Sequence, residues 1–296
     1  MSNPVVFDRP LLRERRARAA KIGPATFLLD RAADDLASRL SAVLRDFELA
    51  VDLGTPTDAV RRAMADRVGA VVAVARDLPD DRAQRLAVVA DEEALPFRDG
   101  SIGLVVSALA LQFVNDLPGT LLQIRRALRP DGLLLAVLMG GESLIELRTA
   151  FAEAEAEIEG GVSPRVAPFA DLRDVGALLQ RAGFALPVTD IDRVTVRYAS
   201  PLALMHDLRR MGAGNALVER RRVPLRRATL RRALEIYGER FADADGRIRA
   251  TFDMIWLSGW APHESQQKPL APGSARARLA DALHAKEFSA GEKAGR

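Results

Sequence analysis

The pattern of apolar positions divides the chain into two unlike halves. In the first, short runs at 47–53, 70–75, 86–90, 102–108 and 133–138 are rich in Val or Leu and apolar on both faces. A strand with one wet face alternates apolar and polar residues, so these runs predict parallel strands covered on both sides. Segments at 58–67 and 117–128 have helical spacing, and R-P-D-G at 129–132 predicts a turn before the fifth strand. Ahead of the first strand, 11–21 is basic and helix-prone. Residues 27–44 place Leu28, Leu29, Leu36, Leu40 and Leu44 near helical spacing. Strand–helix alternation of this kind predicts an α/β fold, a doubly wound sheet of Rossmann-like type.

The second half is less regular. Helices are expected at 143–159, broken by Gly160-Gly161, and at 170–182, with Gly183 as the C-cap. Residues 186–198 read as extended, 202–211 and 229–241 as helical, and 251–260 as a last strand. From about 267 the pattern weakens into a tail expected to be disordered. The organisation expected is a helical extension over 1–45, an α/β domain over 46–265 with a helical insertion at about 200–245, and a tail over 266–296.

Composition narrows the chemistry. The 296 residues suit one large domain with additions, and 48% hydrophobic residues suffice for its core. With 43 basic against 40 acidic residues, net charge gives no reason to expect nucleic acid or a membrane as partner. The absence of cysteine excludes disulfides, thiolate metal sites and a cysteine nucleophile. No apolar run approaches the ~20 residues of a transmembrane helix. The N-terminus has no apolar signal region, and Asp8 and Glu14 argue against a transit peptide, so a cytoplasmic protein is expected, and heavy Ala and Arg usage points to a bacterial source. The three histidines, His206, His263 and His284, show no metal-binding spacing, and no metal site is expected.

In an open α/β sheet, ligands bind beyond the carboxyl ends of the strands. The residues there are V-D-L-G-T-P-T-D at 51–58, A-R-D at 75–77, A-D-E-E-A-L-P-F at 90–97 and the segment 107–115. With L-R-P-D-G-L-L-L-A at 128–136, they resemble the class I S-adenosylmethionine-dependent methyltransferase superfamily. Further motifs are narrower. F-D-R at 7–9, G-G-E-S-L-I-E-L-R at 140–148, E-G-G-V-S-P-R-V-A-P-F at 159–169, R-A-G-F at 181–184, M-G-A-G-N-A at 211–216 and G-W-A-P-H-E-S-Q-Q-K-P at 259–269 resemble the mitochondrial respiratory complex I assembly-factor family. The likeness runs from about Phe7 to Ser274.

That resemblance implies a seven-stranded methyltransferase-like sheet and a role in biogenesis of complex I, the NADH–quinone oxidoreductase, with a complex I subunit as partner. Studied members are described as arginine hydroxylases of such a subunit. It places Asp52 and Gly54 at the cofactor loop, Asp91 and Glu92 near the adenine, and Ser107 to Gln112 along the sulfonium side. His263, within G-W-A-P-H-E-S-Q, is the candidate for substrate contact or catalysis, its alternative being a structural turn against Trp260. Other readings of the same fold are a methyltransferase acting on a small molecule or carrier-protein thioester, and a non-catalytic scaffold.

The cofactor loop departs from its pattern. Pro56 and Asp58 stand where glycines are usual, and proline fixes φ and removes a donor. Glycine alone lets the backbone come close to a ligand at positive φ. The second strand ends on Ala75 and Arg76, where an acid would hold the ribose, with Asp77 one or two positions late. Loss of a hydrogen bond to a charged group weakens affinity roughly ten- to hundredfold. Weak or absent S-adenosylmethionine binding is therefore expected. The arginines among residues 219–232 number seven and could dock an acidic partner or form a solvated helix face.

Overall fold

The structure is a computed structural model that describes residues 5–76 and 86–267, with Asp281, His284 and Lys286. Asp77 and nearly all of the expected tail lie outside the described residues. The chain divides into two compact units, Met1–Pro262 and His263–Arg296.

The first unit is built on a seven-stranded sheet. Its strands are β1 (Phe47–Leu53), β2 (Val68–Ala75), β3 (Ala87–Val89), β4 (Ile102–Ala108), β5 (Leu128–Gly140), β6 (Ala185–Tyr198) and β7 (Ile248–Trp260). They lie in the order β3-β2-β1-β4-β5-β7-β6. The first five are parallel, and β7 enters antiparallel between β5 and β6. Chain direction across the sheet reverses at β1 and β4, so the crevice beyond their carboxyl ends is the switch point where ligands bind in such folds.

Period-two alternation sends side chains to two cores. On β5, Leu134, Ala136 and Leu138 join the cluster that contains Leu121, Ile124, Val175 and Leu179, while Leu133, Leu135 and Val137 join the opposite one. The first cluster is covered by α4 (Leu117–Ala127) and α6 (Leu172–Arg181), the second by α2 (Phe27–Ser41) and the short α3 (Ala59–Ala63). On α2, Leu29, Ala32, Ala33, Leu36 and Leu40 recur at helical spacing, and Leu36 and Leu40 are fully buried. Truncating one such leucine costs about 2–5 kcal/mol through lost transfer energy and the cavity left behind.

A third core sits around the far halves of β6 and β7 under α5 (Ile145–Glu159), α7 (Pro201–Arg210) and α8 (Arg227–Phe241), with Leu28, Phe151, Leu204, Ile236 and Tyr237 inside it. The remaining helix, α1 (Arg9–Ile22), opens on Pro10 and is capped by the Asp8 carboxylate, which accepts from the Leu11 N–H at 3.1 Å.

Three local expectations are corrected. R-P-D-G does not form a turn but lies within β5 as an irregularity, with Asp131 at φ 64° and a register shift against β4 between Ile102 and Leu104. Pro130 has no ladder donor and Asp131 is strained, which suits a bulge as well as a turn. The third strand is a three-residue edge, mostly exposed rather than covered on both faces. The helix after β1 spans only Ala59–Ala63, half the length its spacing predicts.

Candidate functional site at the carboxyl ends of the strands

Asp52, next to last in β1, is a fully buried carboxylate. Its Oδ2 accepts from Arg61 Nη1 on α3 at 2.5 Å. Burial pushes its carboxyl up to about 6, against the opposing pull of Thr55 and Arg61. Gly54 follows at φ +71°, and its N–H donates to Val74 O at 2.7 Å. A Cβ on Gly54 would stand 2.7 Å from Glu92 Oε1 and 3.0 Å from the Ala110 methyl. The glycine at this turn is thus needed twice, for its positive φ and for the close approach of Glu92. Asp58 is ion-paired with Arg62 one turn along α3, so its charge is partly met within the loop.

The carboxylates after β3 are the most heavily used groups in the crevice. Glu92 is 3% exposed and pairs with the guanidinium of Arg9, itself buried at the start of α1. Arg9 Nη2 also donates to Asp91 Oδ1 at 3.1 Å, and Nη1 to Phe113 O at 2.9 Å. Arg76, at the end of β2, takes the other oxygen of Asp91. Glu93 accepts from the N–H groups of Asn115 and Asp116, fixing the loop after β4. The acidic run is therefore not a solvated turn. It is the hub of an arginine–carboxylate cluster, Arg9–Glu92 and Arg9–Asp91–Arg76.

Arg9 is held there by its own strand-like segment. The N–H groups of Val6 and Phe7 both donate to Asn115 Oδ1, at 2.9 and 2.7 Å. Asp8 N donates to Ala216 O at 2.8 Å and Val218 N to Val6 O at 2.9 Å. The Phe7 ring meets Phe113 edge-on at 5.7 Å. The segment around Phe7 thus lies between the loop after β4 and the loop after α7.

Of the expected ligand residues, the structure brings Asp52, Gly54, Asp91 and Glu92 to the mouth of the β1/β4 crevice. Ser107 is also there but fully buried, with its hydroxyl donating to Leu53 O at 2.7 Å as a strut between β4 and β1. Gln112 donates from Nε2 to Leu109 O at 2.9 Å, and its buried Oε1 has no partner among the described residues. His263 opens the second unit. Its Nδ1 lies 2.7 Å from Ser265 Oγ, and its ring is engaged within its own exposed turn. Asp207 pairs with Arg210 at 3.2 Å.

Sequence reasoning missed Arg9, whose motif was noticed but whose target was not, and two buried carboxylates in the second half. Asp253 on β7 accepts from Arg193 Nε at 2.7 Å and Nη2 at 2.9 Å, and from the Glu142 N–H at 2.8 Å. Burial raises its carboxyl, but these bonds outweigh it and leave the group below its ordinary value. Gly141 turns at φ +55° against it, which leaves no room for a side chain in the G-G-E-S turn. Glu155 on α5 accepts from Ser163 N at 2.7 Å, from Ser163 Oγ at 2.8 Å and from Arg165 Nε at 2.8 Å, and so folds the V-S-P-R loop onto the helix. Asn215 of M-G-A-G-N-A then donates to Pro164 O at 2.8 Å.

The arginines of 219–232 are largely met from within. Arg220 pairs with Asp8 at 3.1 Å, Arg221 and Arg226 with Glu159 at 3.0 and 3.4 Å, and Arg232 with Glu157 at 2.6 Å. That arrangement favours the solvated, internally paired face over an open basic patch.

The strand order with its inserted antiparallel β7 is that of a class I methyltransferase-like protein. A methyltransferase-domain family profile matches residues 51–136. Two crystal structures share the fold. They are a Bacillus halodurans protein assigned as a methyltransferase (TM-score 0.53, 19% identity, 77% of this chain and 99% of that one) and Bacillus subtilis YcgJ (TM-score 0.52, 14% identity, 77% and 98%).

The curated relatives are more specific. The mitochondrial arginine-hydroxylase NDUFAF5 is 37% identical in Danio rerio, over 93% of this chain and 89% of the relative. In Homo sapiens it is also 37% identical, over 91% and 81%. The malonyl-[acyl-carrier protein] O-methyltransferase of Halorhodospira halophila is 34% identical over 88% and 90%. The chain belongs to the NDUFAF5 family of methyltransferase-fold proteins.

The cofactor implied by the fold can be tested against these residues. S-adenosylmethionine needs acceptors for its ribose hydroxyls, free polar groups at its adenine and an open backbone at its methionine end. Among the described residues, Ala75 and Arg76 end β2 where the ribose acceptor would stand. Asp91 and Glu92 are already bonded to guanidinium groups, and Glu92 covers Gly54. This set does not fit the cofactor.

Proposed function

We propose that this protein acts in the biogenesis of respiratory complex I, the NADH–quinone oxidoreductase, in the bacterial cytoplasm, by engaging one of its subunits. Modification of a subunit arginine is the reaction its relatives' name suggests. The observation that carries this reading is the convergence of three motifs distant in sequence. F-D-R, V-S-P-R and M-G-A-G-N-A are joined by the Asp8–Ala216 and Asn215–Pro164 hydrogen bonds beside the strand-end loops. The resulting surface belongs to residues that specify this family rather than to the methyltransferase fold at large. No helix among the described residues is long and apolar enough to cross a membrane, so engagement would be with an extramembrane part of the subunit.

Deletion of the gene tests the reading. Assembled complex I should fall on native gels and recover with the wild-type chain, and a subunit peptide should lose the mass of one oxygen atom. Unchanged assembly would sink the proposal. A second reading, methyl transfer to a carrier-protein thioester, is favoured by the malonyl-[acyl-carrier protein] O-methyltransferase relatives. It requires S-adenosylmethionine binding, which the crevice geometry opposes.

A further inference from the structure

We propose that the protein fills the cofactor crevice of its own fold. The guanidinium groups of Arg9 and Arg76, seated on Asp91 and Glu92, take the place of the adenosine half of S-adenosylmethionine, and the wild-type chain does not bind that cofactor. The inference rests on the crevice alone and not on the complex I reading.

Two barriers can be told apart. The loop barrier, Pro56 and Asp58, is the milder one. Gly54 keeps the positive φ that a ligand-facing turn needs, and the Asp58 charge is met by Arg62. The cluster barrier is in the crevice itself. Glu92 Oε1 lies so close to Gly54 that a methyl group there would be in collision with it, and Ala110 closes the β4 side. For a ligand to reach the Gly54 backbone, Glu92 must swing away. That takes one of its two carboxylates from Arg9, which is buried, and leaves it sharing Asp91 with Arg76. Burial and the charge of Arg9 already lower the Arg76 guanidinium below its ordinary value.

Arg9 cannot follow Glu92 out, because Phe113 O and Asp91 hold its other donors and Asn115 clamps the segment that carries it. A buried cation that gives up one of its two carboxylates is disfavoured. Each charge-assisted bond given up weakens an entering ligand roughly ten- to hundredfold. On this account the segment around Phe7 is a fixed brace that holds Arg9 in the site where other members of the fold place a small molecule.

The test is calorimetric titration of the full-length chain with S-adenosylmethionine, in three forms. The first is wild type. The second carries Pro56→Gly and Asp58→Gly. The third adds Ala75→Asp, Arg76→Ala and Glu92→Ala. Cooperative urea unfolding is recorded for each to show that it is folded. Should the third form not fold, Arg9→Gln with Glu92→Gln in the loop background keeps the shape of the cluster and removes its charge pairing. We expect no binding by the first two forms up to about 1 mM. The form without the cluster should bind at least tenfold more tightly than that limit. Three results would overturn the inference: micromolar binding by wild type, binding by the loop form equal to that of the cluster form, or no binding by a folded cluster form.

Discussion

The loops after β1 to β3 and the loops around β5 to β7 use the same device, a carboxylate taken out of water and held by arginine, to different ends. In the second region, Asp253 with Arg193 and Glu155 with Arg165 hold turns in shape. Each carboxylate also accepts a backbone N–H of its turn, so the ion pair is subordinate to the backbone it organises. In the first region, Asp91 also accepts the Glu93 N–H, at 3.1 Å, while among the described residues Glu92 pairs with Arg9. There the carboxylates spend most of their capacity on side chains that project across the crevice. The same chemistry braces architecture in one region and replaces a ligand in the other. A strand-end carboxylate therefore says little about ligand binding until its partners are known.

The comparison can be broken most sharply at Asp253. Replacing it with Ala leaves the Arg193 guanidinium and the Glu142 N–H without their shared acceptor. Loss of one partner of a buried pair costs about 3–5 kcal/mol, and we expect the low end because Arg193 is half exposed. Urea unfolding of D253A should show it, and a loss below about 0.5 kcal/mol, the level of a surface substitution, would remove the architectural role.

Asp52 offers a test by pH. Its folded-state value, about 6, lies above the ordinary 3.8, so the folded chain holds this proton more tightly than the unfolded one. Its contribution to stability is greatest below about pH 4, declines as pH rises from there to about 6, and is flat above. A shift of that size corresponds to at most about 3 kcal/mol. The difference in unfolding free energy between wild type and D52N should therefore fall across that window. A difference that stays level would mean Arg61 holds the carboxylate ionised throughout.

A smaller effect is expected at Gly54. Alanine there takes a left-handed backbone at a cost of about 1–2 kcal/mol and meets Glu92. Measured against Glu92→Ala as its own reference, the Gly54→Ala loss should shrink by the part due to the collision and keep the part due to φ. Equal losses in both backgrounds would show that Glu92 does not cover the loop. The smallest effect belongs to Arg31, whose pair with Asp192 is exposed at 3.0 Å. R31A should change stability by about 0.5 kcal/mol or less, the ordinary worth of a surface ion pair. A larger loss would mean that an exposed pair is worth as much as one built on a buried carboxylate.

Much of the fold was legible because covered strands are mostly apolar on both faces. The expected 47–53 and 102–108 are the observed β1 and β4. R-P-D-G misled because residues that make turns also make bulges, and the choice was settled by pairing with β4 and β7. Four of the expected ligand residues come to one crevice, since the carboxyl ends of parallel strands lie along one edge of the sheet. Their partners were not legible. Arg9 is 82 residues from Asp91, and nothing local ties them. Arg76 was more open to suspicion, as a cation standing where an acid was expected. Asp253 also carried a signal, a lone acid within T-F-D-M-I-W-L, since a charge in a covered strand must find a partner.

The claim that the crevice is already occupied by the protein itself is tested most directly by a crystal structure grown with S-adenosylmethionine at several millimolar. The account predicts density for the Arg9 and Glu92 side chains in contact over Gly54, with no cofactor between β1 and β4. Density for adenosine against Asp91, with Arg9 displaced from the crevice, would contradict it.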